Sequence, residues 1–190
     1  MTSPASPDKP YHHGALREAA LAEGVKLLTE TGVAKFSLRE VARRLGVTAT
    51  ALYHHFPDKE DLLFALAHEG LERFQAALTQ VVSAGGGLAD MGAAYVRFFL
   101  ERPYYMDLLF RPVTKFDDRV RDIWGNTFEL VEAALQARGI GGEDAAYYAV
   151  WLWSSVHGLA GMLRDGIVGN PEACGPDAPP VFHLNPEQLL

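Results

Sequence analysis

Apolar residues recur at helical spacing through most of the chain, and glycine and proline mark where the spacing breaks. Leu16, Ala20, Leu27 and Leu28 can share one stripe, which predicts a first helix over about 13–30. Gly32 follows as its C′ residue, because glycine takes the left-handed conformation without penalty. Leu38, Val41, Ala42 and Leu45 stand at i, i+3, i+4 and i+7 and predict a second helix from Ser37, ended by Gly46. Ser37 and Glu40 read as an S-x-x-E capping box, in which each side chain satisfies an orphan backbone donor of the other. Thr48 then caps a short third helix reaching about His55. Pro57 and Asp58 open a fourth, with Asp58 as its cap and Asp61 at N3. It runs to about Val82, where Ser-Ala-Gly-Gly-Gly breaks it, long enough to join two domains. Further helical stretches fall at 88–102, 104–110, 116–138 and 143–165, punctuated by Pro103, Pro112 and the Gly139/Gly141/Gly142 cluster. No sustained period-two alternation occurs, so the fold class is all-α.

Composition narrows the class further. The chain has 190 residues and ordinary globular proportions of apolar and charged side chains, enough for a real core. No apolar run approaches the roughly 18–20 residues of a membrane span. Met1 to Pro10 lack the apolar core of a secretory signal and read as a disordered Pro/Ser-rich arm, so a cytoplasmic location is expected. The single cysteine, Cys174, excludes an intrachain disulfide and sits in a Gly/Pro-rich tail expected to be irregular from Gly166 onward. Net charge is −7, which at first argues against a polyanionic partner. Its distribution changes that: residues 1–60 carry eight Lys and Arg against seven Asp and Glu, whereas 61–190 carry nine against seventeen. A polyanion would be met by the first third, with the acidic remainder discouraging non-specific adhesion.

SLREVARRLGVTATALYHHF carries the strongest signal. Two short helices around a glycine-containing turn form the geometry that lays a second helix in the DNA major groove. Leu38, Val41, Ala42, Leu45, Val47, Leu52 and Phe56 would hold the pair against the first helix. Arg39, Arg43, Arg44, Thr48, Ala49, Thr50, Tyr53, His54 and His55 are left outward. Arginines can pair with phosphates or read guanine. The Thr48 hydroxyl lies beside a positive helix terminus. Ala49, Thr50 and Ala51 let the helix backbone approach closely and can pack on thymine methyls, and Tyr53 can donate to a phosphate. Lys59, at the start of the fourth helix, lies near the same backbone. The alternative is a helical hairpin whose charges are only a solvated face.

Residues 11–64 closely resemble the DNA-binding domain of TetR-family regulators, through YHHGALREAALAEGVKLLTETG and FSLREVARRLGVTATALYHHFPDKEDLL. YHHG resembles one large subgroup, and WLWSSVHGLAGM, Trp151 to Met162, resembles a W-x-x-x-H-G element in the regulatory domain of that subgroup. The resemblance implies a disordered arm over 1–10, a helix-turn-helix domain over 11–64 and a regulatory and dimerisation domain over 65–190. It places Arg39, Ala49, Thr50 and Ala51 where family members contact bases, and Thr48, Tyr53, His55 and Lys59 where they contact phosphates. Ala49, Thr50 and Ala51 depart from a long-side-chain reading surface, which shifts the expected readout toward Arg39, thymine methyls and DNA shape. It further implies a homodimer on a palindromic operator, joined through the last two long helices, and release by a small-molecule effector. One short helix reads too few base pairs to select a site by itself, so duplication is expected on physical grounds too. Ser154, Ser155, Gly158, Ala160 and Gly161 would permit close approach of a partner helix, or pack within one subunit.

The second half is rich in large apolar side chains, more than a helical domain of this size requires, and ligand pockets are mostly apolar. Phe98, Tyr105, Phe110, Trp124, Phe128 and Trp151 are the candidate ligand-binding residues, with His157 supplying either a pocket hydrogen bond or an internal one. Tyr95, Arg97 and Asn126 are weaker candidates. The expected ligand is small and apolar or aromatic. No cofactor is expected. An enzyme would have to use Ser154, His157 and Asp165, but no nucleophile elbow surrounds the serine and Asp165 lies two turns beyond the histidine. The pairs His12-His13 and His54-His55 diverge on a helix, and no H-x-x-x-H or C-x-x-C spacing occurs, so neither catalysis nor a metal site is expected.

Overall fold

A computed structural model describes residues 13–111 and 117–168. The expectations for the arm 1–10, for His12, for a helix start at Phe116, for Cys174 and for the tail beyond 168 lie outside the described residues. Every regular element among the described residues is helical: α1 (His13–Lys35), α2 (Leu38–Leu45), α3 (Ala49–Tyr53), α4 (Lys59–Ser83), α5 (Leu88–Glu101), α6 (Pro103–Leu109), α7 (Asp118–Gln136) and α8 (Gly142–Arg164). None of these is long and apolar enough to cross a membrane. The chain divides into two compact units between Leu66 and Ala67, within α4.

The first unit is three helices around one apolar core. Leu16, Ala20, Leu27 and Leu28 of α1 are buried, as are Leu38, Val41 and Ala42 of α2 and Leu52 of α3. Phe36, Phe56, Leu62, Leu63 and Leu66 close the core. Gly32, at φ 69°, breaks the helical backbone where the sequence expects the first helix to end, and the remaining helical residues to Lys35 lie beyond this kink. The turn between α2 and α3 depends on Gly46, whose φ of 68° lies in the left-handed region. Its N–H donates to the Arg43 carbonyl and the Val47 N–H to the Ala42 carbonyl, at 3.2 and 3.1 Å. Those two bonds form a Schellman closure that satisfies carbonyls the helix would leave orphaned.

The expected caps divide. Thr48 accepts from the Ala51 N–H at 3.2 Å and Asp58 from the Asp61 N–H at 2.9 Å, as the sequence predicts. Ser37 has the extended backbone of an N-cap but no side-chain cap bond, so the Ser37–Glu40 capping box is not formed. The physical reason is competition: the Glu40 carboxylate accepts hydrogen bonds from Arg43 and Arg44.

In the second unit, α5 packs most extensively against α8, with α6 and α7 also against α5 and α7 against α8. Its core is largely aromatic. Phe74 meets Tyr95 edge-on at 5.3 Å, and Phe98 stacks on Tyr105 at 5.7 Å with ring planes 9° apart. Arg102 breaks the helix and Pro103 starts α6 at a position where no backbone N–H is needed. Gly70 of α4 is required by close approach. A Cβ there would stand 2.3 Å from Cε1 of Tyr105, a ring that is fully buried and cannot swing away. Gly70→Ala is therefore expected to destabilise the protein by about 1–3 kcal/mol through overpacking, despite alanine's better helix propensity. Thermal unfolding followed by circular dichroism checks this; an unchanged or raised Tm would contradict it.

Candidate nucleic-acid interface and apolar cavity

The short helix α3 is built to face outward. Leu52 is its buried residue, and Thr48, Thr50, Tyr53 and His54 are exposed around it. Ala49, Ala51 and His55 are half-buried. The Thr48 hydroxyl receives the Ala51 N–H, so its own proton is left for an outside acceptor. Lys59 is half-buried and its Nζ donates to the Val33 carbonyl at 3.1 Å, tying the start of α4 to the end of α1. An ammonium has three donors, so this bond leaves two.

The arginines of α2 look interchangeable in sequence and are not so in the fold. Arg39 is exposed and has no ion pair among the described residues. Arg43 is gripped by Glu40 through two bonds, at 2.8 and 2.6 Å. Arg44 is a bridging centre: it reaches Glu40 at 3.0 Å, Glu30 at 3.0 and 2.6 Å and Glu23 at 3.5 Å. Its guanidinium thus joins α2 to two turns of α1, and its pKa is pushed up chiefly by the Glu30 and Glu40 hydrogen bonds. The expectation that Arg44 faces a phosphate is corrected by this geometry, since four of its five N–H donors go to carboxylates. The missed signal was three glutamates, at 23, 30 and 40, on the faces that meet.

These ion pairs make the first unit acid-sensitive. Hydrogen bonds from Arg43, then Arg44, hold the Glu40 carboxyl down at about 2 against an ordinary 4.5. Arg44 lowers Glu30 in the same direction, and Lys26 followed by Arg44 lowers Glu23. A depressed carboxylate pKa contributes stability that is fully present above about 4.5 and disappears as pH falls toward 2. Glu30 and Glu40 face solvent while Glu23 is mostly covered, so salt screens much of the effect. Between pH 7 and pH 3, the urea midpoint of the wild type is expected to fall further than that of Glu40→Gln. Equal falls would show that the network carries no pH-dependent stability.

The second unit holds a half-open apolar cavity of about 80 Å³. Phe74, Met91, Tyr95, Trp124, Phe128 and Trp153 form much of its wall, with Leu88, Leu152 and Val156 among the rest. Of the seven predicted ligand residues, Trp124 and Phe128 line this cavity. Phe98 and Tyr105 are packed in the core, and Trp151 is 59% exposed on the outer face of α8. Phe110 stands behind the wall, within ring-contact distance of Trp124, Trp153 and His157. His157 Nδ1 shares a 2.8 Å hydrogen bond with the Tyr95 hydroxyl, which also accepts from Trp153 Nε1 at 3.0 Å. Burial pushes the Tyr95 phenol up, so it is neutral at ordinary pH. Arg97 and Asn126 are exposed. The Ser154 hydroxyl donates to the Val150 carbonyl, and Asp165 takes the Arg164 guanidinium, so both groups of the rejected hydrolase set have other partners.

A helix-turn-helix on a three-helix core, followed by a helical unit with its own apolar cavity, defines the class of DNA-binding transcriptional regulators. Residues 20–66 match the model for bacterial regulatory proteins of the tetR family, and residues 88–178 match that for the tetracyclin repressor-like C-terminal domain. The chain belongs to the TetR family. It is 29% identical over 152 residues to the HTH-type transcriptional regulator CymR of Pseudomonas putida, covering 74% of this chain and 75% of that protein. It is 36% identical over 87 residues to an HTH-type transcriptional repressor of Mycobacterium tuberculosis, covering 45% of this chain and spanning 46%, about half, of that relative. Among solved structures, a protein of unknown function from Rhodococcus sp. RHA1 is 32% identical, with a TM-score of 0.73 over 86% of this chain and 90% of that one.

Proposed function

We propose that the protein is a homodimeric cytoplasmic repressor that leaves a palindromic operator when a small apolar or aromatic molecule enters the cavity. The observation that carries the DNA half is the division of side chains on α2 and α3. Leu52 faces inward, while Arg39, Thr48, Thr50 and Tyr53 stand outward with Arg39 uncommitted to any carboxylate among the described residues. Arg39, Ala49, Thr50 and Ala51 are assigned to bases, and Thr48, Tyr53, His54, His55 and Lys59 to the phosphates or the groove wall. The small side chains at 49 and 51 leave much of the selectivity to Arg39, thymine methyls and groove shape.

Dimerisation through α7 and α8 is supported by their outer face. Tyr147, Val150 and Trp151 are exposed large hydrophobic residues on one helix, an arrangement that water disfavours and a partner would cover. Gly125 of α7 and Gly158 of α8 have open space where a Cβ would be, so a partner helix could approach their backbones. Trp151 is thereby reassigned from ligand contact to dimer contact. The cavity supports the effector half of the reading, and a ligand acts only if it binds the operator-competent and released states with different affinity. α4 is the covalent route, supplying Leu62 and Leu66 to one core and Phe74 and Leu78 to the cavity wall.

Selection from a random duplex pool supplies the operator, and mobility shifts at fixed salt then test the assignment. Arg39→Ala is expected to weaken specific binding by about 1–3 kcal/mol and to relax selectivity at one base position per half-site. Thr50→Ala is expected to weaken it by a smaller amount. Unchanged operator affinity in both variants would refute the interface.

A further inference from the structure

The cavity specifies more than an apolar ligand. Among the described residues no Asp, Glu, Lys or Arg side chain lines it, so a charged molecule would lose its hydration without gaining a counter-charge from them. Its polar side chains are Tyr95, Trp124, Thr127 and Trp153. Three of these are already committed. Trp153 Nε1 donates to the Tyr95 hydroxyl, that hydroxyl also pairs with His157, and the Thr127 hydroxyl donates to the Ile123 carbonyl at 2.7 Å. Trp124 differs. It is more than nine-tenths buried, and its Nε1 has no acceptor among the described residues. An indole N–H can only donate, and a buried donor without an acceptor bears the full cost of lost hydration. Such a group in a cavity wall is satisfied when a bound molecule brings the acceptor.

Size restricts the molecule too. At ~10–15 Å³ for each water-sized sphere, about 80 Å³ suits one ring with a short substituent. Trp124, Phe128 and Trp153 offer ring faces and edges on the wall, which suit an aromatic guest.

We infer that the cavity takes a neutral, single-ring molecule carrying one hydrogen-bond acceptor, such as an aryl ketone, with the Trp124 indole N–H as the donor that recognises that acceptor. The inference rests on the reading of this cavity as the effector site and adds charge, size and the recognising group to it.

Three isosteric probes separate these properties: acetophenone, isopropylbenzene and benzoate, added to the full chain in calorimetric titrations. Acetophenone is expected to bind about tenfold more tightly than isopropylbenzene, and benzoate not measurably. Trp124→Phe keeps an aromatic ring and removes the N–H. It is expected to abolish the preference, so that the variant binds acetophenone and isopropylbenzene alike, and binding of both reports that the cavity persists. In wild-type protein labelled with ¹⁵N, acetophenone is expected to move the Trp124 indole N–H resonance downfield and isopropylbenzene not to. This readout serves even if the variant folds poorly. Equal affinity for the two neutral probes, tighter binding of benzoate, an acetophenone preference that survives Trp124→Phe, or failure of every probe to bind would each overturn the inference. Operator release, followed by fluorescence anisotropy in the same samples, is scored separately: acetophenone that binds through Trp124 without releasing DNA refutes the effector reading and leaves the ligand class standing.

Discussion

A helix of five residues does not hold itself together in water, where isolated helices shorter than ~12–15 residues are marginal. α3 is such a helix, and the proposed DNA-facing surface is presented on it. Its persistence depends on one buried side chain, Leu52, and on closures at both sides. The Schellman turn at Gly46 sets where the chain leaves α2, the Thr48 hydroxyl satisfies a first-turn N–H, and the Leu52 carbonyl accepts from both His55 and Phe56 as the helix ends. Phe56, buried in the same core, fixes the exit. Position and orientation of the outward residues therefore follow from packing of residues that never meet DNA.

The charge arrangement serves the same end. Arg44 holds α2 against α1 through Glu23 and Glu30 and is itself oriented by Glu40 on its own helix, so the platform beneath α3 is cross-braced by ion pairs as well as by the core. Each exposed pair is individually weak, but a guanidinium shared among several carboxylates fixes direction as well as distance. Arg39, one helical turn before Arg43, is excluded from that network and is left outward. One helix thus commits two of its arginines to carboxylates and leaves the third outward.

Most of the fold was legible because its boundaries are written in local chemistry. Gly46, Thr48, Asp58, Pro103 and the glycines after Ser83 and Gln136 sit at helix ends, where backbone requirements act within a few residues. What failed was whatever depended on a choice between partners. Ser37 and Glu40 have capping-box spacing, yet Glu40 is drawn to two arginines, one of which also bridges to residues 14 and 21 positions away. The helix-turn-helix surface was legible because its inward and outward positions alternate in a pattern set by one short motif. The cavity was not: Trp151 and Trp153 are near neighbours in sequence on one helix, but two residues turn a helix by about 200°, so they face opposite ways. Only the packing of α5 and α7 against α8 decides which one enters the wall.

The proposed arrangement, in which a braced three-helix platform presents α3 to the major groove and is duplicated by a two-fold axis, has a direct signature on DNA. Guanine-N7 methylation interference combined with hydroxyl-radical footprinting on the selected operator reads it. The account expects two symmetry-related patches of backbone protection separated by about one or more whole turns of ~34 Å, each centred on a major-groove segment where N7 methylation blocks binding. A single protected patch, or protection that N7 methylation does not disturb, would contradict it.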